Sequence, residues 1–84
     1  IAFTKVLSKE LGHFNVRVNA IAPGLTNTNM MEKDISKKIF DDAIKRVALK
    51  RPAEPEEISN VVMFLASDLS SYVSGEVIFV TGGY

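Results

Sequence analysis

Apolar positions recur along this chain with two different periods, and the changes of period mark out its elements. Over residues 1–11, Phe3, Val6, Leu7 and Leu11 fall on one face at helical spacing, with Lys5, Ser8, Lys9 and Glu10 around the rest. This spacing predicts an amphipathic helix, and Gly12 stands where a left-handed C-cap belongs. Val16, Val18, Ala20 and Ile21 then supply the β-branched and small apolar residues of a strand covered on both faces. Pro23 has no N–H to give to a ladder, so pairing is expected to stop near Ala22. From about Asn29 to Val47, the residues Ile35, Ile39, Phe40, Ala43, Ile44 and Val47 form one stripe, which predicts a second amphipathic helix. After the connector Lys50-Arg51-Pro52-Ala53-Glu54, Pro55 at a first helical position and Glu56 and Glu57 in the first turn open a third helix. That helix is expected to bury Ile58, Val61, Val62 and Leu65 and to fade at Ser67-Asp68. The polar residues Ser70-Ser71 and Ser74-Gly75 lead into Val77-Ile78-Phe79-Val80, a short interior strand closed by Gly82-Gly83.

The order helix, strand, helix, helix, strand defines an α/β protein in which the two strands run parallel, because helical crossovers separate them. Two parallel strands cannot cover the apolar stripes of three or four helices, so further neighbours are expected from other sequence or from a partner chain. The first helical pattern starts at Ile1 without a capping residue or a Met, which predicts that the chain is a piece of something longer.

Composition removes several classes of function. The 84 residues contain no cysteine and one histidine, His13, which excludes disulfide frameworks, Cys-based zinc sites and Cys nucleophiles. No metal site is expected. Ten basic residues balance ten acidic ones, so neither nucleic acid nor an anionic membrane surface is an expected partner. No apolar run approaches the ~18 residues of a membrane span, and the expectation is a cytoplasmic protein.

Candidate chemistry lies where the first strand runs out. In an open α/β sheet, ligands sit beyond the carboxyl ends of the strands, where a glycine lets a ligand approach the backbone and nearby amides and hydroxyls can bond to it. Gly24, Thr26 and Thr28 supply those parts. Met30 and Met31 follow at the start of the second helix, as packing residues or as a flap over an apolar substrate. Asn19, beside apolar strand residues, needs internal hydrogen-bond partners and is read as tying neighbouring loops together. His13 is read as a solvated residue beside a helix end.

Taken together, Phe3 to Leu11, Val16-Arg17-Val18-Asn19-Ala20-Ile21-Ala22-Pro23-Gly24 with Thr28, Arg51-Pro52 with Pro55-Glu56-Glu57-Ile58, Phe64 to Asp68, Ser71-Tyr72-Val73-Ser74-Gly75 and Gly82-Gly83 resemble, in order and spacing, the C-terminal part of a short-chain dehydrogenase/reductase. Within that family the likeness is greatest to the 3-oxoacyl-carrier-protein reductases. The resemblance implies a Rossmann-type doubly wound parallel sheet, to which this chain supplies about two strands and three helices as the C-terminal portion of a single domain. It implies an NAD(P)-dependent oxidoreductase that moves a hydride between nicotinamide and a carbonyl/alcohol pair, with NADP favoured over NAD. Pro23, Gly24, Leu25, Thr26 and Thr28 would form the nicotinamide loop, the backbone at Thr26 meeting the carboxamide and the Thr28 hydroxyl holding the carboxamide or the pyrophosphate. A carboxamide needs one donor and one acceptor in fixed relation, which a backbone N–H and C=O supply. The implied partners are a small carbonyl/alcohol or acyl-thioester substrate and further copies of the chain in a dimer or tetramer.

The same resemblance shows what these residues lack. The family uses a Tyr as acid/base with a Lys four residues later, a Ser that orients the carbonyl, and a glycine-rich phosphate loop. Here Tyr72 is followed four residues on by Glu76, and Tyr84 is the last residue, so no Tyr-x-x-x-Lys and no catalytic residue is assigned within the chain. Thr81 stands where the family usually has Asp and Ala53 where it has Gly; both are read as turn positions away from the chemistry. The alternative function is a non-catalytic truncated or oligomerising fragment that keeps only the scaffold.

Overall fold

A computed structural model describes residues 2–27 and 37–84. Helix α1 (Ala2–Leu11) leads through a 3-10 turn (Gly12–Phe14) to strand β1 (Ala20–Pro23); helices α2 (Lys37–Ile44) and α3 (Pro55–Ala66) follow, then a second 3-10 turn (Asp68–Ser70) and strand β2 (Val77–Val80). The two strands pair in parallel, with Ala20 opposite Val77 and Pro23 opposite Val80. The α/β order and the parallel pairing are those expected of the pattern.

Several local expectations are corrected. Gly12 does not take the left-handed conformation; it opens the 3-10 turn, and the chain reverses three residues later at Asn15, with φ 60°, whose N–H donates to the Gly12 carbonyl at 3.0 Å. Asn tolerates this region better than most residues because its short side chain is compatible with it. Val16 to Asn19 lie outside the ladder, and Val16 is exposed. Pairing also continues past Ala22. The Ala20 N–H donates to Glu76 and the Gly24 N–H to Val80, each at 2.9 Å. Because ladder donors alternate along a strand, the Pro23 nitrogen faces the opposite edge and its missing hydrogen costs no bond to β2.

Of the stripe expected over 29–47, residues 28–36 lie outside the described residues, and with them Met30, Met31 and Ile35. Helix α2 places Phe40, Ala43 and Ile44 half-buried and leaves Ile39 62% exposed, while Val47 falls in the turn beyond the helix. That turn is where packing is tightest. Val47, at 2% exposure, is the one fully buried hydrophobic among the described residues. It sits against Gly82, and Ala48 lies against Gly83; a Cβ on Gly83 would come within 2.6 Å of the Ala48 Cβ, and its φ of +86° is left-handed. The N–H groups of Leu49 and Ala48 donate to Gly82 and Gly83. The pair of glycines thus lets the exit from α2 lie flat on the end of β2.

On α3, Ile58, Val61 and Leu65 are half-buried as expected, but Val62 is 49% exposed, and Met63 and Phe64 are exposed beside it. Phe3 and Val6 of α1 and Phe79 of β2 also face outward. The Cα radius of gyration is 15.5 Å, against the roughly 12 Å of a compact domain of this length. Apolar surface on three elements therefore lacks cover from within the described residues.

Candidate functional site

The site is built at the carboxyl ends of both strands. Where β1 ends, Gly24 continues alongside the end of β2, and a Cβ on Gly24 would stand 3.0 Å from the Thr81 Cα. Gly24 is outside the left-handed region, so its lack of a side chain is required first by the close approach of its own chain. Pro23, Gly24 and Leu25 line a cleft of about 420 Å3 with Ala43 and Thr81.

Beyond Gly24 the chain is carried by a second parallel bridge, between Thr26 and Ala53. The Ala53 N–H donates to Leu25 at 2.8 Å and the Asn27 N–H donates to Ala53 at 2.7 Å. These bonds use the peptide groups on either side of Thr26. By the alternation of an extended chain, the N–H and C=O of Thr26 itself point to the opposite edge, and among the described residues neither has a partner. The Thr26 hydroxyl donates back to the Gly24 carbonyl at 3.1 Å, which holds the bend. Thr28 lies outside the described residues.

The platform under this loop is the connector into α3. The Arg51 guanidinium grips the Glu57 carboxylate with two parallel bonds of 2.7 and 2.9 Å. The same carboxylate accepts the Glu54 N–H at 2.9 Å, which satisfies one of the orphan donors at the start of the helix. These hydrogen bonds, the Arg51 one foremost, lower the Glu57 carboxyl from its usual 4.5 to about 2 and raise Arg51. Asn27 Nδ2 donates to Glu54 Oε1 at 3.4 Å, a further link from loop to helix.

On the opposite side, Asn19 ties loops together as expected. Its Nδ2 donates to the Val73 carbonyl at 3.0 Å and its Oδ1 accepts the Glu76 N–H at 3.1 Å. Arg17, which sequence reasoning passed over, binds the carbonyls of Leu65, Ser67 and Val73 and the Ser70 hydroxyl. A cation at the carboxyl end of α3 suits the dipole there, and it shares these carbonyls with the Ser70 hydroxyl and the Asn19 amide. Pro23, Gly24, Leu25 and Thr26 are therefore brought together at one edge. Ala53 and Thr81, read as remote turn positions, are instead the two residues on which the loop rests. Both act through the approach of main chains, so no side-chain pattern marks them in the sequence. Among the described residues no group of His, Asp or Glu converges as a metal site would require, and no helix is long and apolar enough to cross a membrane.

Known proteins with this stretch are close in sequence and shape. The family model described as enoyl-(acyl carrier protein) reductase matches residues 1–84. A 3-oxoacyl-(acyl-carrier-protein) reductase, FabG, of Thermotoga maritima is 49% identical over 83 residues, which cover 99% of this chain and 33% of that protein. A 3alpha-hydroxysteroid dehydrogenase of Mediterraneibacter gnavus is 47% identical over 79 residues, 94% of this chain and 31% of the relative. The crystal structure of a 3-oxoacyl-(acyl-carrier protein) reductase from Brucella melitensis superposes with a TM-score of 0.92 at 36% identity, over 98% of this chain and 30% of that one. The chain thus spans about a third of the length of the relatives it matches. The Rossmann-type architecture of the resemblance holds for this portion, with two parallel strands and three helices in the family's arrangement. A match that runs the length of the chain, at nearly half identity and with the same backbone, places this chain in the short-chain dehydrogenase/reductase family.

Proposed function

We propose that these 84 residues are the C-terminal portion of a single Rossmann-fold domain in an NAD(P)-dependent oxidoreductase, and that their part in the reaction is to hold the nicotinamide end of the cofactor. The observation that carries this is the N–H and C=O of Thr26, unpaired among the described residues and turned away from Ala53 at the carboxyl edge of a parallel sheet. One donor and one acceptor on the same residue match a carboxamide. Pro23, Gly24 and Leu25 form the adjacent wall, and the Thr28 hydroxyl adds a bond to the carboxamide or the pyrophosphate. The bound cofactor supplies the hydride. This chain's loop fixes which face of the ring is presented and excludes water from that side. The proton donor, the residue that tunes it and the phosphate-binding glycines belong to sequence outside these 84 residues.

The matched relatives bear names for two substrates, a 3-oxoacyl-(acyl-carrier-protein) and a 3alpha-hydroxysteroid, at nearly equal identity, which supports reading the shared stretch as the part that serves the cofactor. A 3-oxoacyl-type substrate is the reading that the greater number of named relatives favours, and NADP is the dinucleotide we favour with it. The outward-facing Phe79 on β2 and the exposed apolar residues of α3 suit cover by further segments and pairing of copies in a dimer or tetramer. The test uses the complete protein. Thr26→Pro removes the N–H, and Thr28→Val removes the hydroxyl. Calorimetry should show Thr26→Pro weakened toward the nicotinamide dinucleotide but unchanged toward the corresponding ADP-ribose, and Thr28→Val weakened toward the dinucleotide by about 1 kcal/mol, the worth of one hydrogen bond, with ADP-ribose binding telling carboxamide from pyrophosphate as its partner. If neither variant separates the two ligands, the loop is scaffold and the non-catalytic reading prevails.

A further inference from the structure

The carboxamide-facing groups of Thr26 are aimed by peptide planes that Thr26 does not itself control. Both planes are pinned by Ala53, through its N–H to Leu25 and its C=O from Asn27. Ala53 is the second residue before α3, in a connector across which Arg51 reaches to Glu57. The Glu57 carboxylate in turn holds the Glu54 N–H, and the Glu54 carboxylate takes the Asn27 amide. Arg51 and Glu57 also wall a cavity of about 130 Å3 beneath the loop, with Leu25 and Ala53 opposite. Hydrogen bonds and a shared cavity thus join the pair to both sides of Thr26.

We propose that Arg51 and Glu57 are positioning residues for the nicotinamide-holding loop: their two-pronged ion pair sets the place of Ala53 and through it the direction of the Thr26 N–H and C=O. This rests on the loop assignment made above. The side chains are 50% and 41% exposed, and surface pairs of this kind contribute little to global stability. Their effect is therefore local, on a loop that has few other supports. Lys in place of Arg51 keeps the charge but cannot form the fork.

The experiment compares two probes on the complete protein, the reduced nicotinamide dinucleotide and the ADP-ribose that lacks its nicotinamide. Glu57→Gln should weaken the dinucleotide roughly three- to tenfold and leave ADP-ribose binding unchanged, and the fluorescence of the bound reduced nicotinamide should shift toward that of the free molecule. Arg51→Lys should move both readouts the same way by less, and unchanged ADP-ribose affinity shows that each variant is folded. Equal losses for the two probes, or no loss for either, overturn the positioning role. Thr26→Pro distinguishes the two levels. If it separates the probes and Glu57→Gln does not, the inference alone fails; if Thr26→Pro does not separate them, the loop assignment itself fails.

Discussion

Gly24 and Thr81 are packed so closely that a Cβ on Gly24 would sit 3.0 Å from the Thr81 Cα and 3.3 Å from its Cβ. The nearest atom is backbone, so trimming the Thr81 side chain would not make room. Contacts this short displace the neighbouring chain, and overpacking of this kind costs about 1–3 kcal/mol. Gly24→Val in the complete protein should lower the melting temperature, and Thr81→Ala should not restore it. Unchanged melting with weakened cofactor binding would instead mean that a ligand, and not Thr81, requires the glycine.

Arg17 gathers four acceptors from residues 65–73, at 2.9–3.3 Å, into one guanidinium. Its removal takes the charged donor from the partly buried Leu65, Ser67 and Val73 carbonyls, which keep only the Ser70 hydroxyl and N–H and the Asn19 amide, and hydrogen bonds to a charged group contribute about 1.5–3 kcal/mol each. Arg17→Ala should destabilise the complete protein by about 2 kcal/mol or more in urea denaturation, and Arg17→Lys should recover only part. A loss below about 0.5 kcal/mol, the usual range for a surface change, would show that water replaces the guanidinium.

Glu57 titrates at about 2, below its usual 4.5, because Arg51 and the Glu54 N–H bond to its ionised form. A folded-state value lower than the unfolded one means that the contribution is complete above about pH 4.5 and is lost as pH falls toward 2. A carbon-13 titration should place the Glu57 midpoint near 2, and Arg51→Met should move it up. The melting temperatures of the parent and Glu57→Gln should differ by a constant amount above pH 4.5 and converge below it. A midpoint in the ordinary carboxylate range would dissolve the pair.

Only Val47 among the described hydrophobic residues is fully buried, and Phe3, Met63 and Phe79 are each more than 60% exposed. The 84-residue chain by itself should melt without cooperativity, bind a hydrophobic dye, and show no nicotinamide-dependent reduction. Turnover by the purified chain would refute the assignment of the chemical step to other sequence.

The extent of β2, Pro55 as the opening residue of α3 and the parallel order were legible in the sequence because each depends on local chemistry. Four apolar residues between turn signals make a strand, a proline without N–H suits a first helical turn, and helices between strands enforce a crossover. The place of the loop after β1 was legible for the same reason, since it follows from where the strand ends. Other features were decided only when distant segments met. Pro23 stays in the ladder because the partner lies on the side its nitrogen does not face, and the left-handed turn falls at Asn15 because the 3-10 turn carries the chain past Gly12. Val62 stays uncovered because the described residues place nothing over that face of α3. Ala53 and Thr81, 27 and 57 residues beyond Thr26 and Gly24, support the loop through backbone approach alone. A contact between main chains leaves no side-chain pattern to read, so only the tertiary fold could determine it.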